Sequence, residues 1–531
     1  MNIIIGVGGT GAKVVESVLH FAAMGVGPNS LRVGFVDQDR SNGNLNRALQ
    51  VFESYRSTRA AWRGDDAVHR LGGAEECPLF KTDIEPLGEQ DGLWIPDDGA
   101  GTTLASVFGP MGEDQYLFDA LFHTGDDKTA EEQQLTLDDG FQGRPHIGAA
   151  VITDRAEQRS AFWDSVTETI KSAGSGGAVR ILLAGSVFGG TGAAGFPTIA
   201  RLIRNRLKDE GITRGVDIGG ILMLPYFGYP NPNEDQDQNV ALADEQLMQS
   251  RGALRHYEDM LGGEHIFDQL YMVGWNPLIR LEYHEKGSGD QRNPALLPEF
   301  VAGSAASRFF LSERLPEEEG LQAIMVSARR DKNQFGWPDV PALTSGSGEM
   351  QRVLHEYVAR FLRFAVAFKY WKPQIGNSQE RREMKRSEEW YVAQGLDDVD
   401  WDEASPSQAL NYMEASIDHA LRWFAAMETY ARHDQDVKFE LWHIAKALVD
   451  PIDEKRPNKD PSVKDRLDDQ DYRRSYESIA GKYAASDDSM SHIGELADNL
   501  TDYELTGQHE LMGRFIAALY HFGDFDPEDE Q

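Results

Sequence analysis

The stretch AGSVFGGTGAAGFP, residues 184–197, follows the apolar run VRILL (179–183) and leads into a helical pattern. A strand that hands over to a helix through Gly189, Gly190, Thr191 and Gly192 presents backbone N–H groups with few side chains in the way. The helix N-terminus adds partial positive charge, which together makes a cradle for an anion. The same arrangement occurs at GVGGTG, residues 6–11, between a strand NIIIGV (2–7) and a helix AKVVESVLHFAAM (12–24). Gly8, Gly9, Thr10 and Gly11 are the candidate ligand-facing residues of this first corner.

By itself the first corner also fits the dinucleotide fingerprint G-x-G-x-x-G through Gly6, Gly8 and Gly11. Asp37, which ends the second strand LRVGFVD (31–37), stands where a ribose-binding acid would be. An NAD(P)-dependent oxidoreductase is therefore the competing class, but it needs one glycine corner and leaves residues 189–192 unexplained. Two corners suit one compact polyphosphate, with Thr191 contributing a hydroxyl. The second loop lacks the lysine of G-x-x-x-x-G-K-[ST]. Backbone dipoles and a cation, Mg²⁺, would have to meet the phosphate charge.

Outward from these corners, apolar runs alternate with helical patterns over the first 230 residues, which predicts an α/β fold with a parallel sheet flanked by helices. Helices are expected near 147–172, 193–208, 240–260 and 293–311, and strands near 178–184, 218–227, 268–275 and 321–329. Residues 40–145 read as an insertion of short helices and long loops. Beyond 345 the strands give way to a helical C-terminal domain, with helices near 349–371, 406–431, 436–449, 472–485 and 507–521. The charged run 450–471 reads as a solvated loop and the end of the chain as an acidic tail.

With 52 basic and 87 acidic side chains the chain carries a net charge of −35 and would repel nucleic acid. Its one cysteine, Cys77, cannot form an internal disulfide, and MNIIIGVGGTGA lacks a basic leader region. Both point to a cytoplasmic protein. The most apolar helix, 353–371, carries His355, Glu356, Arg360, Arg363 and Lys369, so no integral membrane segment is expected. His20, His69, His123 and His146 have no metal-site spacing. AGSVFG does not complete G-x-S-x-G, which removes a serine hydrolase.

The two corners resemble the glycine-rich signatures of the tubulin and FtsZ superfamily, whose GGGTG core cradles GTP phosphates. GRPHIGAAVI (143–152) is similar to the family loop that faces the γ-phosphate, and LPYFGYP (224–230) to the loop after the next strand. The combination is most similar to divergent prokaryotic tubulin-like proteins. The resemblance implies a Rossmann-like tubulin/FtsZ-type fold over residues 1–345 that binds GTP or GDP with Mg²⁺. It adds Gly143, Arg144, Pro145 and His146 to the ligand-facing set and implies a GTP-controlled switch or filament-forming scaffold, a prokaryotic cytoskeletal element. A homo-oligomer, with protein partners at the helical domain, would follow.

Departures from the family pattern set further expectations. Phe188 and Ala194 replace glycines of the core, and Lys13 stands where FtsZ has an asparagine beside the base. Asn276 and Asn293 both qualify for the base contact, Asn293 being favoured because it opens a helix. The acids expected to orient water or Mg²⁺ for hydrolysis are Glu299 and Asp339, each of which also reads as a surface carboxylate. A non-hydrolysing interaction module with a structural nucleotide is the remaining alternative.

Overall fold

The computed structural model describes residues 1–63, 77–89, 91–109, 112–122, 130–138, 140–141, 143–174, 176–228, 243–281, 293–312, 321–327, 334–337, 340, 349–433, 438–439, 441–444, 446–449 and 511–521. Its centre is the first strand, β1 (Asn2–Val7), whose Ile3, Ile4, Ile5 and Val7 are fully buried. A strand apolar on both faces has to lie inside a sheet covered on both sides, which favours parallel pairing. β1 accordingly pairs in parallel with β2 (Ser30–Val36) on one edge and β5 (Val179–Ser186) on the other, with Ile5 opposite both Gly34 and Leu183.

The remaining strands are β3 (Asp83–Pro86), the two-residue β4 (Leu93–Trp94), β6 (Val216–Met223), β7 (Gln269–Gly274) and β8 (Gln322–Ser327). Their order is β3-β2-β1-β5-β6-β7-β8, with β4 also on β2, and all neighbours are parallel. The chain builds outward from β1 on one side, then returns to β1 and builds outward on the other. That reversal leaves a crevice outside the carboxyl ends of β1 and β5, the place where doubly wound sheets bind ligands. The α/β class expected from the alternation is the observed one.

Helices α1 (Gly8–Ala23), α2 (Gly43–Arg63), α3 (Pro145–Ala156), α4 (Ala161–Gly174), α5 (Gly190–Asp209), α6 (Ala243–Gly263) and α7 (Leu297–Leu311) accompany the sheet. Helix α2 corrects the expectation of short helices and loops over 43–63, whereas the helices Leu104–Phe108, Gln115–Phe122 and Ala130–Gln133 are short as expected. In α2, Leu45, Ala48, Val51, Phe52 and Tyr55 are buried at helical spacing, but polar residues between them hide the stripe. The single helix expected at 147–172 is two, parted at residues 157–160.

The C-terminal region is helical, with α8 (Glu349–Ile375), α9 (Ala404–His433) and α10 (Leu511–His521). The helix expected at 436–449 is not formed as such. Lys438 and Phe439 pair with Gln334 and Phe335, and helix resumes only at Lys446–Val449. The expected helix at 472–485, the run 450–471 and the acidic tail lie outside the described residues. The apolar residues of α8 are core: Phe361, Leu362, Phe364 and Phe368 are buried. Among the described residues no helix is long and apolar enough to cross a membrane.

Aromatic packing joins this layer to the sheet's helices. Phe300 of α7 meets Phe21 of α1 at 5.0 Å, Trp423 of α9 at 5.9 Å and Trp442 at 5.2 Å between ring centroids. His20 lies 4.7 Å from Trp423 and is 2% exposed. Burial pushes its pKa down to about 3. The unfolded chain therefore takes up a proton near pH 6.5 that the fold refuses, so stability is lost as pH falls from there toward 3. Urea unfolding at pH 7 and pH 5 should show wild type losing about 2 kcal/mol more than His20→Gln over that interval.

Candidate functional site

Helix α1 begins directly at Gly8, one residue after β1 ends, with the extended Val7 as its N-cap, no side-chain cap and no acid in its first turn. Helix α5 begins the same way after Gly189, and α3 after Arg144 with Pro145 in its first turn. Neither has a side-chain cap or a first-turn acid. Free N–H groups at a helix start carry uncompensated partial positive charge.

The three starts meet. Gly8 has φ of 71°, and a Cβ there would lie 2.9 Å from the backbone nitrogen of Gly192, so glycine is what lets the two corners touch. A Cβ on Gly190 would lie 3.1 Å from the nitrogen of Gly143, and one on Gly148 would be 2.7 Å from the Cβ of Ala194. Gly189, with φ of 80°, faces open space, with nothing within 4 Å of such a Cβ. The segments 8–11, 143–148 and 189–192 thus adjoin at one corner. Within it Gly11 is a packing position, pressed against the Ala184 carbonyl, whereas Gly9 lies against the Asn42 side chain. Thr10 falls in the first turn of α1.

Asp37 crosses from β2 to this corner. It is 2% exposed, and one carboxyl oxygen accepts the Thr191 hydroxyl at 2.9 Å and the Asp39 N–H at 3.3 Å. Asn42 donates to the other oxygen at 3.3 Å. Burial pushes its pKa up to about 7, against the pull of those hydrogen bonds. Among the described residues no three His, Cys, Asp or Glu side chains are grouped to share a metal ion. Mg²⁺ commonly takes one or two carboxylates plus phosphate oxygens, a role Asp37 and Thr191 fit. Asn42 is a site residue that sequence reasoning missed. Its signal was its position before α2, where its side chain accepts from the N–H groups of Asn44 and Leu45 as a cap.

The departures from the family pattern find neighbours. The Phe188 ring packs on Phe227 at 5.6 Å and Tyr226 at 6.1 Å, while its carbonyl accepts the Ser186 hydroxyl at 2.7 Å. At the rim, His146 is exposed, lies 3.2 Å from Glu132 and stacks on Phe122 at 6.0 Å. Arg144 stands 3.9 Å from the same carboxylate.

Glu299 has a different place from the one expected of a water-orienting acid. It is fully buried, forms an ion pair with Lys13 and accepts the Tyr226 hydroxyl at 2.7 Å and the Leu296 N–H at 3.0 Å. A carboxylate so enclosed fixes the start of α7 and cannot reach a water at the crevice or on another molecule, which corrects its assignment. Beside it Arg47 grips Glu16 through three contacts of 2.8 to 2.9 Å. The two cations, Lys13 and Arg47, then donate to the carbonyls of Pro294 at 2.8 Å and Asn293 at 2.5 Å. Asn293 is buried beside this network, whereas Asn276 is exposed. Asp339 lies outside the described residues.

Searches against protein-family models and curated proteins find no match to this chain.

Two consequences are measurable. The folded chain keeps the Asp37 proton up to about pH 7 while the unfolded chain releases it near 3.8, so the ligand-free fold loses stability as pH rises across that window. Asp37→Asn should remove a loss of roughly 4 kcal/mol at pH 8 and change nothing below pH 4 in chemical unfolding. Lys13→Met alone should cost about 3–5 kcal/mol by stranding Glu299, and adding Glu299→Gln should restore much of it.

Proposed function

We propose that the corner binds the polyphosphate of a nucleotide, GTP or GDP with Mg²⁺, and that occupancy switches assembly or partner binding. The observation that carries this reading is the meeting of three uncapped, acid-free helix starts at the carboxyl edge of β1 and β5. Backbone N–H groups of residues 8–10, 143–146 and 189–191 would face the phosphates, and Asp37 with Thr191 would hold the cation. The resemblance to tubulin and FtsZ supplies the base identity and the expectation of a homo-oligomer or filament. The helical region would present the surface for protein partners. The net charge of −35 argues against nucleic acid as a partner.

Two findings favour this reading over its rivals. An NAD(P) enzyme would need one glycine corner, whereas Gly8 and Gly192 bring two such corners together here. Glu299 is locked in a structural ion pair, which favours control by binding over efficient hydrolysis.

Thermal unfolding with Mg²⁺-GTP, Mg²⁺-ATP, inorganic tripolyphosphate or NAD tests the reading. GTP at about 100 times its Kd should stabilise the fold by about 2.7 kcal/mol. Thr191→Val should weaken that effect. Stabilisation by NAD with none from GTP would overturn the proposal. Light scattering with Mg²⁺-GTP reads assembly in the same samples.

A further inference from the structure

Helix α5, which carries the second glycine corner in its first turn, has Pro197 inside it. Proline has no N–H, so the carbonyl four residues earlier, that of Ala193, loses its helical donor. Tyr257 of α6 replaces that donor, its hydroxyl reaching the Ala193 oxygen at 2.7 Å. Tyr257 is 4% exposed, and burial raises its pKa, so it remains a protonated donor. A side chain of α6 thus completes the hydrogen bonding of the turn that forms the crevice wall.

Beside this bond lies a cavity of about 210 Å³, bounded by Phe196, Pro197, Leu254, Tyr257, Met260 and Phe267 among other apolar residues. The one charged lining residue, Glu258, is solvent-exposed and stands at the rim. The Tyr257 hydroxyl in the wall is already committed to Ala193. The pocket is partly open to solvent, but its wall offers water few hydrogen-bond partners, and an enclosed apolar cavity of about 150 Å³ that accepts benzene sets the scale of ligand for such a lining. The space is too small for a folded segment of polypeptide and fits a compact hydrocarbon of about six to ten carbons.

We propose that this pocket between α5 and α6 is a binding site for a small apolar molecule, and that its occupant packs against Tyr257, steadies the Tyr257–Ala193 bond and tightens the first turn of α5. The site stands independently of what the glycine corner binds. Its effect on that corner follows from geometry: Tyr257 lines the cavity and ties α6 to Ala193, the residue after Gly192. Phe196 lines it too, and its ring stacks on Phe267 at 5.0 Å.

The test uses p-xylene as the probe and the full chain. Ligand-observed NMR should show saturable binding to wild type and at least a tenfold loss in Leu254→Trp and in Met260→Phe, which fill the cavity from two positions. Amide exchange across residues 190–196 should slow on adding p-xylene to wild type. In the Pro197→Ala, Tyr257→Phe double variant, where a backbone N–H replaces the hydroxyl, binding should persist and the exchange response should vanish. Absence of saturable binding to wild type overturns the site, as does full binding by whichever filling variant retains the wild-type circular dichroism. Binding without a change in exchange overturns the coupling.

Discussion

The contact between Gly8 and Gly192 is the constraint on which the carboxyl edge of the sheet depends. It exists because β1 and β5 are neighbours despite 171 residues between their ends, Val7 and Val179. The reversal of strand order brings the starts of α1 and α5 side by side, and any Cβ at position 8 would sit 2.9 Å from a backbone nitrogen. Once they touch, the N–H groups of two helix starts point into one space, and α3 closes the third side through Gly143 and Gly148. Each residue there is ordinary alone. Their convergence places three helix N-termini, each with partial positive charge, beside one another in a chain of net charge −35.

Charge placement explains how that region survives. The first turns of α1, α3 and α5 carry no acids, and the acids nearest the corner are neutralised or engaged. Asp37 is held by Thr191 and Asn42, and Glu132 is matched to Arg144 and His146. Deeper, two cations and two carboxylates balance one another, Lys13 with Glu299 and Arg47 with Glu16. The cations also hold the carbonyls of Asn293 and Pro294, so the start of α7 is positioned by α1 and α2. Phe300 on α7 then meets Trp423 and Trp442, which carries the position of this segment into the C-terminal helices.

Local chemistry made the two glycine corners and their flanking strands legible. Apolar runs such as NIIIGV and VRILL have few alternatives to buried parallel strands, and glycines directly after them mark the turn into a helix. The strand order was not legible, because nothing local says that β5 returns to β1. Lys13 and Glu299 read as two unrelated departures from a family pattern, since an ion pair spanning that much chain has no local sequence signature. The bond from Tyr257 to the carbonyl left open by Pro197 was hidden for the same reason, although the proline itself advertised a missing donor. Helix α2 was obscured by its polar face, and the stretch near 438 was misread because burial of Phe439, Leu441 and Trp442 against the helices outweighs local helix pattern.

Whether the glycine corner binds a nucleotide polyphosphate is decided by a crystal structure with a non-hydrolysable GTP analogue and Mn²⁺. Phosphate density is expected against the backbone nitrogens of residues 8–10, 143–146 and 189–191, with an anomalous Mn²⁺ peak beside Asp37 and Thr191. Nucleotide bound elsewhere, or density across β1 and β2 with the 189–192 corner left untouched, would contradict binding at this corner.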